Sequence, residues 1–274
     1  MAESRAEQVW ALDEIEAVVW RDLIDAASHA VIAATGMAWA RVGEVTILMA
    51  PRLASPLWNR ALGIGNGEPA TDALVDEVLV RLTAAGVADP WIHVSAASRP
   101  AAIAQWLGAR GFAPAPGRAW VKLSRGREPV PEMPCALDVR ELDGADAAPL
   151  ARCLCAAHGV PPALAPLIEA LVGRRGWRAY GAFDGGALVA GAMLRVDGRD
   201  AWLGLGGTLA SHRGRGAHGA LVARRITDAI AQGATTIATE TAAPVDGVAG
   251  PSLANLDRCG FQQVGLRATW CLVR

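Results

Sequence analysis

Thr208-Leu209-Ala210-Ser211-His212-Arg213-Gly214-Arg215-Gly216-Ala217-His218-Gly219 is the stretch that decides how the rest of the chain is read. It leaves an expected strand, passes through a basic, glycine-rich turn and enters an expected helix running to Gln232. A turn of this kind aims several free backbone N–H groups at one point, at the positive end of a helix dipole. Glycine lets the backbone approach a bulky anion closely, and Arg213 and Arg215 add charge. The chemistry implied is binding of a phosphate or pyrophosphate.

Around this turn the chain alternates strands and helices. Strands are expected at Trp177 to Asp184, Ala187 to Val196, Ala201 to Leu209 and Thr235 to Glu240. Helices are expected at Asp146 to Ala157, Pro162 to Arg174 and Ser252 to Arg258, with a final strand pair ending at Arg274. The first half has one long or broken amphipathic helix from Ala6 to Ala34 and strand-like pattern from Met37 to Ile64, with a strand at Val45 to Met49. Helices follow at Thr71 to Ala85 and Ala101 to Arg110, and strands at Trp91 to Ser95 and Arg118 to Leu123. Ser124 to Cys135 holds three prolines among mixed charges and reads as a linker.

The halves look like two copies of one unit. Gly67 and Gly86 bracket a helix with the same spacing as Gly214 and Gly233. Each helix is followed by a strand, then by a short helix ending in Gly-Phe (Gly111-Phe112 and Gly260-Phe261), then by a strand containing Trp120 or Trp270. The copies differ at the turn. Where the second has Arg213 to Gly219, the first has Gly65-Asn66-Gly67-Glu68-Pro69. Glu68 repels phosphate and Pro69 has no N–H to donate, so only the second half is expected to bind the anion.

Composition excludes several classes. A formal net charge of -1 argues against a nucleic-acid-coating protein. Acidic and basic residues interrupt the apolar N-terminal stretch, so neither a signal peptide nor a spanning helix is expected, and a cytoplasmic location is. The five cysteines form no CxxC pair and lie far from any histidine cluster, so no metal site is expected.

Two phosphate-binding readings compete. Gly214, Gly216 and Gly219 satisfy GxGxxG, and Glu240 ends the next strand about 20 residues on, as in a dinucleotide-binding oxidoreductase. Against it, Ala210 to Arg213 separate strand from glycine, and too little chain follows for a doubly wound domain. The second reading accounts for more of the chain. Arg213-Gly214-Arg215-Gly216-Ala217, with His218 in the final small-residue position and Gly219 after it, resembles the cofactor motif of the GCN5-related N-acetyltransferase (GNAT) superfamily. The resemblance runs from Trp177 to Trp270 and takes in Ala201 to Gly204, Thr239 to Thr241 and Ser252 to Phe261.

It implies an α/β (α+β) fold of two tandem GNAT-like domains, each a mixed, mostly antiparallel sheet flanked by helices. Residues 1–126 would be a degenerate copy and residues 136–274 an acetyl-CoA-binding acetyltransferase domain. It further implies that Thr208, Leu209 and Ala210 meet the pantetheine through their main chain, with a backbone N–H near Leu209 stabilising the oxyanion. The backbone of Arg213, Gly214, Arg215, Gly216, Ala217, His218 and Gly219 would take the pyrophosphate, and Asn255 would reach the pantetheine. The acceptor would be a small-molecule amine, and the protein a monomer or homodimer.

Many members place a tyrosine acid four residues before the late Gly-Phe pair. That position is Leu256, and the only tyrosine is Tyr180. Glu240 is the candidate general base or ammonium-binding carboxylate, set against a plain strand-end residue. The missing tyrosine keeps a non-catalytic acyl-CoA-binding or regulatory module in view. His29, His93 and His158 have no partner pattern and receive no role. Trp39 or Trp58 are possible walls of an acceptor pocket between the halves.

Overall fold

The computed structural model describes residues 4–115 and 117–273. In the first half, helices α1 (Arg5–Asp25) and α2 (His29–Thr35) precede strands β1 (Ala38–Val42), β2 (Val45–Met49) and β3 (Arg60–Leu62). Helix α3 (Asp72–Ala84), β4 (Trp91–Ser95), α4 (Ile103–Ala109), β5 (Phe112–Pro114) and β6 (Trp120–Arg125) follow. The second half runs β7 (Asp138–Leu142), α5 (Ala147–His158), α6 (Ala165–Glu169), β8 (Trp177–Asp184), β9 (Ala187–Asp197) and β10 (Asp200–Thr208). It ends with α7 (Ala217–Ala231), β11 (Thr236–Ala242), α8 (Pro251–Arg258) and β12 (Gln262–Leu272).

Local chemistry sets several boundaries. Ser4 and Glu7 form a reciprocal capping box that starts α1. The expected long helix breaks after Asp25 because Ser28 starts a new one, its hydroxyl accepting from Val31 N–H at 3.3 Å. Thr71 caps α3 in the same way. The helix expected over Pro162 to Arg174 is shorter, a 3₁₀ turn followed by α6.

Among the described residues, all twelve strands join one sheet in the order β1-β2-β3-β4-β12-β6-β11-β10-β9-β8-β7, with β5 pairing on β12. Two pairs in it are parallel, β3 with β4 and β10 with β11, one in each half. The rest are antiparallel, which gives the mixed, mostly antiparallel sheet flanked by helices that the resemblance implied.

The middle of the sheet corrects one expectation. The chain ends in a single long strand rather than a strand pair, and Arg274, where that pair was expected to end, lies outside the described residues. The first part of β12 pairs with β6, and its later part, Arg267 to Trp270, pairs with β4 of the first half. In return β6, the last strand of the first half, lies between β11 and β12. The halves therefore exchange strands, and the linker from Ser124 to Cys135 joins two units whose sheets are already interleaved. Helix α1 lies across this junction and packs on β6, β10, β11 and β12.

Candidate functional site

Strands β10 and β11 pair only from Asp200↔Thr236 to Trp202↔Ala238. Thr239 Oγ1 makes one further link, donating to Leu203 O at 2.7 Å. Beyond it the strands diverge. Strand β10 also bulges between Gly204 and Gly207, with Leu205 at a positive φ of 50°. A cavity of about 770 Å³ occupies the opening and is lined from both faces of the sheet. His218, Val222 and Arg225 of α7 and Leu256 of α8 bound it on one side. Trp20 and Glu16 of α1, Trp58 and His158 bound it on the other.

The basic turn sits at the α7 end. Unlike α1, α2 and α3, helix α7 has no side-chain cap; its N-cap is Gly216 at φ 85°. Among the described residues, the N–H groups of Gly214 through Gly219 have no hydrogen-bond acceptor. Six successive free donors at a helix start form an anion cradle. Arg213 is exposed beside it, while Arg215 is held by Asp184 at 2.5 Å. The linker forms one wall. Ala136 N–H donates to Arg215 O at 3.3 Å, and a Cβ on Gly216 would fall 2.1 Å from Pro134 O.

The matching turn of the first half is closed. Glu68 N–H donates to Glu44 at 2.7 Å, and Ala70 N–H to Arg99 O at 2.7 Å. Arg99 N–H in turn donates to Gly65 O at 2.7 Å. Glu44 and Arg99 O thus take up two donors of this turn, and Pro69 has none to offer, whereas the second half leaves its donors free.

His218 turns its ring into the cavity. Asn255 Oδ1 accepts from Arg258, which leaves Asn255 Nδ2 to donate to His218 Nδ1 at 3.1 Å. The ring proton is then on Nε2, near Gly206. Burial, then the charge of Arg225, push this imidazole down to about 4. An unfolded histidine takes its proton near 6.5, so the native state forfeits stability as pH falls from there towards 4. Up to about 3 kcal/mol should be lost from this residue over that window. Thermal melts of the wild type and His218→Gln from pH 7 to 4 should converge as the pH falls; parallel curves would refute a neutral buried His218.

At the other end lies a buried cluster of six charges. Asp13 and Glu16 come from α1, Arg60 from β3, Lys122 from β6, Glu240 from β11 and Arg267 from β12. Lys122 Nζ lies 2.7 Å from Glu16, 3.3 Å from Glu240 and 3.5 Å from Asp13. Arg267 bonds Glu16 and reaches Asp13 at 3.2 Å, and Arg60 is 3.2 Å from Glu16. Trp202 Nε1 lies 3.2 Å from both Glu240 oxygens. Burial would raise Glu16, but Arg267, Lys122 and Arg60 outweigh it and hold its carboxyl well below the usual range. For Glu240 the balance is reversed: burial and the neighbouring Glu16 push it up, and Lys122, Arg267 and Trp202 offset only part.

Several expectations change. Leu209 N–H donates to Val189 O at 3.0 Å, so it is not a free oxyanion donor. Thr208 ends β10, and Ala210 opens a short 3₁₀ turn. Glu240 is no solvated strand end; its side chain is 8% exposed and faces the cavity. Tyr180 is buried away from the cavity, donating to Asp228 at 2.9 Å. Leu256 lines the cavity, as its place in α8 allows. Trp58 lines it too, edge-on to Trp20, whereas Trp39 is at the surface, bonded to Asp25.

His158, which carried no pattern in sequence, stands at the cavity with Leu205 and Gly206. Among the described residues no group of His, Cys, Asp and Glu is arranged to hold a metal, and the cysteines are unpaired. No helix is long and apolar enough to cross a membrane.

The fold recurs in known structures. A GCN5-related N-acetyltransferase from Kribbella flavida superposes with a TM-score of 0.63 at 18% identity, over 93% of this chain and 95% of that one. A tandem GNAT protein from the clavulanic acid biosynthesis pathway gives 0.62 at 18% identity, over 94% and 95%. A GCN5-related N-acetyltransferase from Sphaerobacter thermophilus gives 0.61 at 16% identity, over 77% and 71%. No family model and no curated protein matches the sequence. The fold is that of the GCN5-related N-acetyltransferases. The match to the tandem GNAT protein spans both halves of the chain, and the glycine-rich turn is open in the second half and closed in the first.

Proposed function

We propose that the protein transfers an acetyl or related acyl group from acyl-CoA to a primary amine of a small molecule, at the cavity between β10 and β11. The observation that carries the reading is the row of free N–H donors from Gly214 to Gly219, opening into a cavity that crosses the sheet. That cradle suits a pyrophosphate, and Arg213 adds an exposed cation beside it. Bound acyl-CoA would supply an activated thioester carbonyl. The unit from 136 to 274 carries this site, completed by β6 and α1 of the first half, and the unit up to 126 contributes acceptor walls but no second cradle.

The chain's own residues divide the remaining work. Glu240 is the carboxylate that faces the cavity with a raised proton affinity, which suits a base taking a proton from an incoming ammonium. Trp202 and Lys122 fix its orientation. His218 Nε2–H offers a hydrogen bond from the side of the cavity that Leu256 leaves without a hydroxyl. Trp20, Trp58, Leu23 and Leu164 make the far chamber apolar, which favours an amine on a hydrophobic body over a polyamine or aminoglycoside.

Glu240→Gln should lower kcat by about 10²-fold or more while leaving CoA affinity within a few-fold. Because burial raises Glu240, the acid limb of the wild-type pH–rate profile should lie above the ordinary carboxylate range. An unchanged kcat would remove Glu240 from the reaction.

Leu256 and the engagement of Glu240 by Lys122 and Trp202 also suit a non-catalytic acyl-CoA-binding module. Thiol release from acetyl-CoA across a broad amine panel separates the two. Tight CoA binding with no thiol released by any amine would favour the binding module.

A further inference from the structure

Arg225 is 2% exposed, and its charge has no carboxylate within ion-pair distance among the described residues. Every other buried cation that lines the cavity belongs to the six-charge cluster. The Arg225 guanidinium is held by backbone oxygens instead. Nε donates to Leu221 O at 3.0 Å, and Nη1 to Met193 O at 2.9 Å and Gly204 O at 3.3 Å. Those last two carbonyls flank the β10 bulge, where the ladder to β9 is interrupted. Among the described residues Nη2 has no hydrogen-bond partner, and the space beside Gly206 opens onto it at 3.7 Å. A buried cation without a counter-ion is costly unless a ligand supplies one. Burial brings this group down to about 10, as expected for a cation short of compensation.

Position narrows what the counter-ion can be. Arg225 lies two turns along α7 from His218, on the same wall of the cavity. A chain entering past the N-terminal cradle meets His218, then Val222, then Arg225. The acidic side chains at the cavity, Glu16 and Glu240, belong to the opposite, α1-facing end. The carboxylate partner is thus expected on the donor side.

We infer that Arg225 recognises a terminal carboxylate on the acyl group, so that the preferred donor is the CoA thioester of a dicarboxylic acid. This rests on the acyl-CoA reading above and names its donor class.

Isothermal titration of the full chain with CoA, butyryl-CoA and succinyl-CoA tests it without any acceptor. Succinyl-CoA should bind at least about tenfold more tightly than butyryl-CoA, its neutral counterpart of similar length. Arg225→Met should erase that preference while leaving CoA affinity within a few-fold. Arg225→Lys, which keeps the charge, should retain part of it. Equal or weaker binding of succinyl-CoA by the native protein overturns the inference, and that comparison needs no variant to fold. Failure of all three ligands to bind would instead overturn the acyl-CoA reading itself.

Discussion

Gly214→Asp is expected to weaken CoA binding about 100-fold, roughly 2.7 kcal/mol, with little change in stability. Gly214 adopts φ 79°, and a Cβ there would meet nothing within 4 Å. Aspartate tolerates that backbone conformation better than most residues. Its carboxylate would stand among the free N–H groups, satisfy some of them and repel a phosphate. Gly214→Asn has nearly the same shape without the charge and should cost far less. Isothermal titration on both variants decides the matter, and equal affinities for Asp, Asn and wild type would dismiss the cradle as the phosphate site. Gly216 and Gly67 are poorer probes. At Gly216 a side chain collides with Pro134 O, and at Gly67 it collides with Glu44 at 2.2 Å. Either change would disturb packing along with any ligand.

Glu16→Ala should be the most damaging single substitution in the central cluster. Glu16 is fully buried and touches Arg60, Lys122 and Arg267 at once. Removing it leaves three buried cations facing only Asp13 and Glu240. Breaking a buried pair in this way costs about 3–5 kcal/mol, which for a chain of this size lowers Tm by roughly 10 °C. Differential scanning calorimetry should show both halves melting together at the lower temperature, because the cluster joins α1 to strands from each half. A shift of only a degree or two, or a separate transition for one half, would contradict that role. Stability should also fall in acid, since Glu16 is held below its ordinary range: its contribution is complete above about pH 4.5 and disappears as pH drops through the lowered value.

The parts of the fold that a local pattern encodes were legible. Val45–Met49, Trp91–Ser95 and Trp177–Asp184 have the boundaries that alternation and flanking turn residues suggested. The basic turn announced itself through glycine spacing. What could not be read depends on contacts between distant residues. Asp138–Leu142 is only five residues long and three of them are charged, so nothing marked it as a strand.

Asp13 and Glu16 looked like interruptions of an apolar helix face, because their partners lie on β3, β6, β11 and β12. Lys122 and Arg267 gave no hint of burial for the same reason. His158 and Arg225 reach the cavity through the C-terminal turn of α5 and the third turn of α7, where neither has a neighbour in sequence that suggests a site. Leu209 shows the opposite failure. Its place beside the motif suggested a free donor, yet strand pairing with β9 had already claimed it.

The exchange of β6 and β12 gives the chain a particular order of assembly. The first half lacks a central strand until residues 267–270 arrive, after the entire second half has been synthesised. The second half, in turn, borrows a strand made before any of its own. Neither unit can finish folding on the ribosome and wait for the other, so maturation should proceed as one late, concerted event. The same interlocking implies that a protease cut in the linker would leave two fragments still gripping each other, separable only in denaturant.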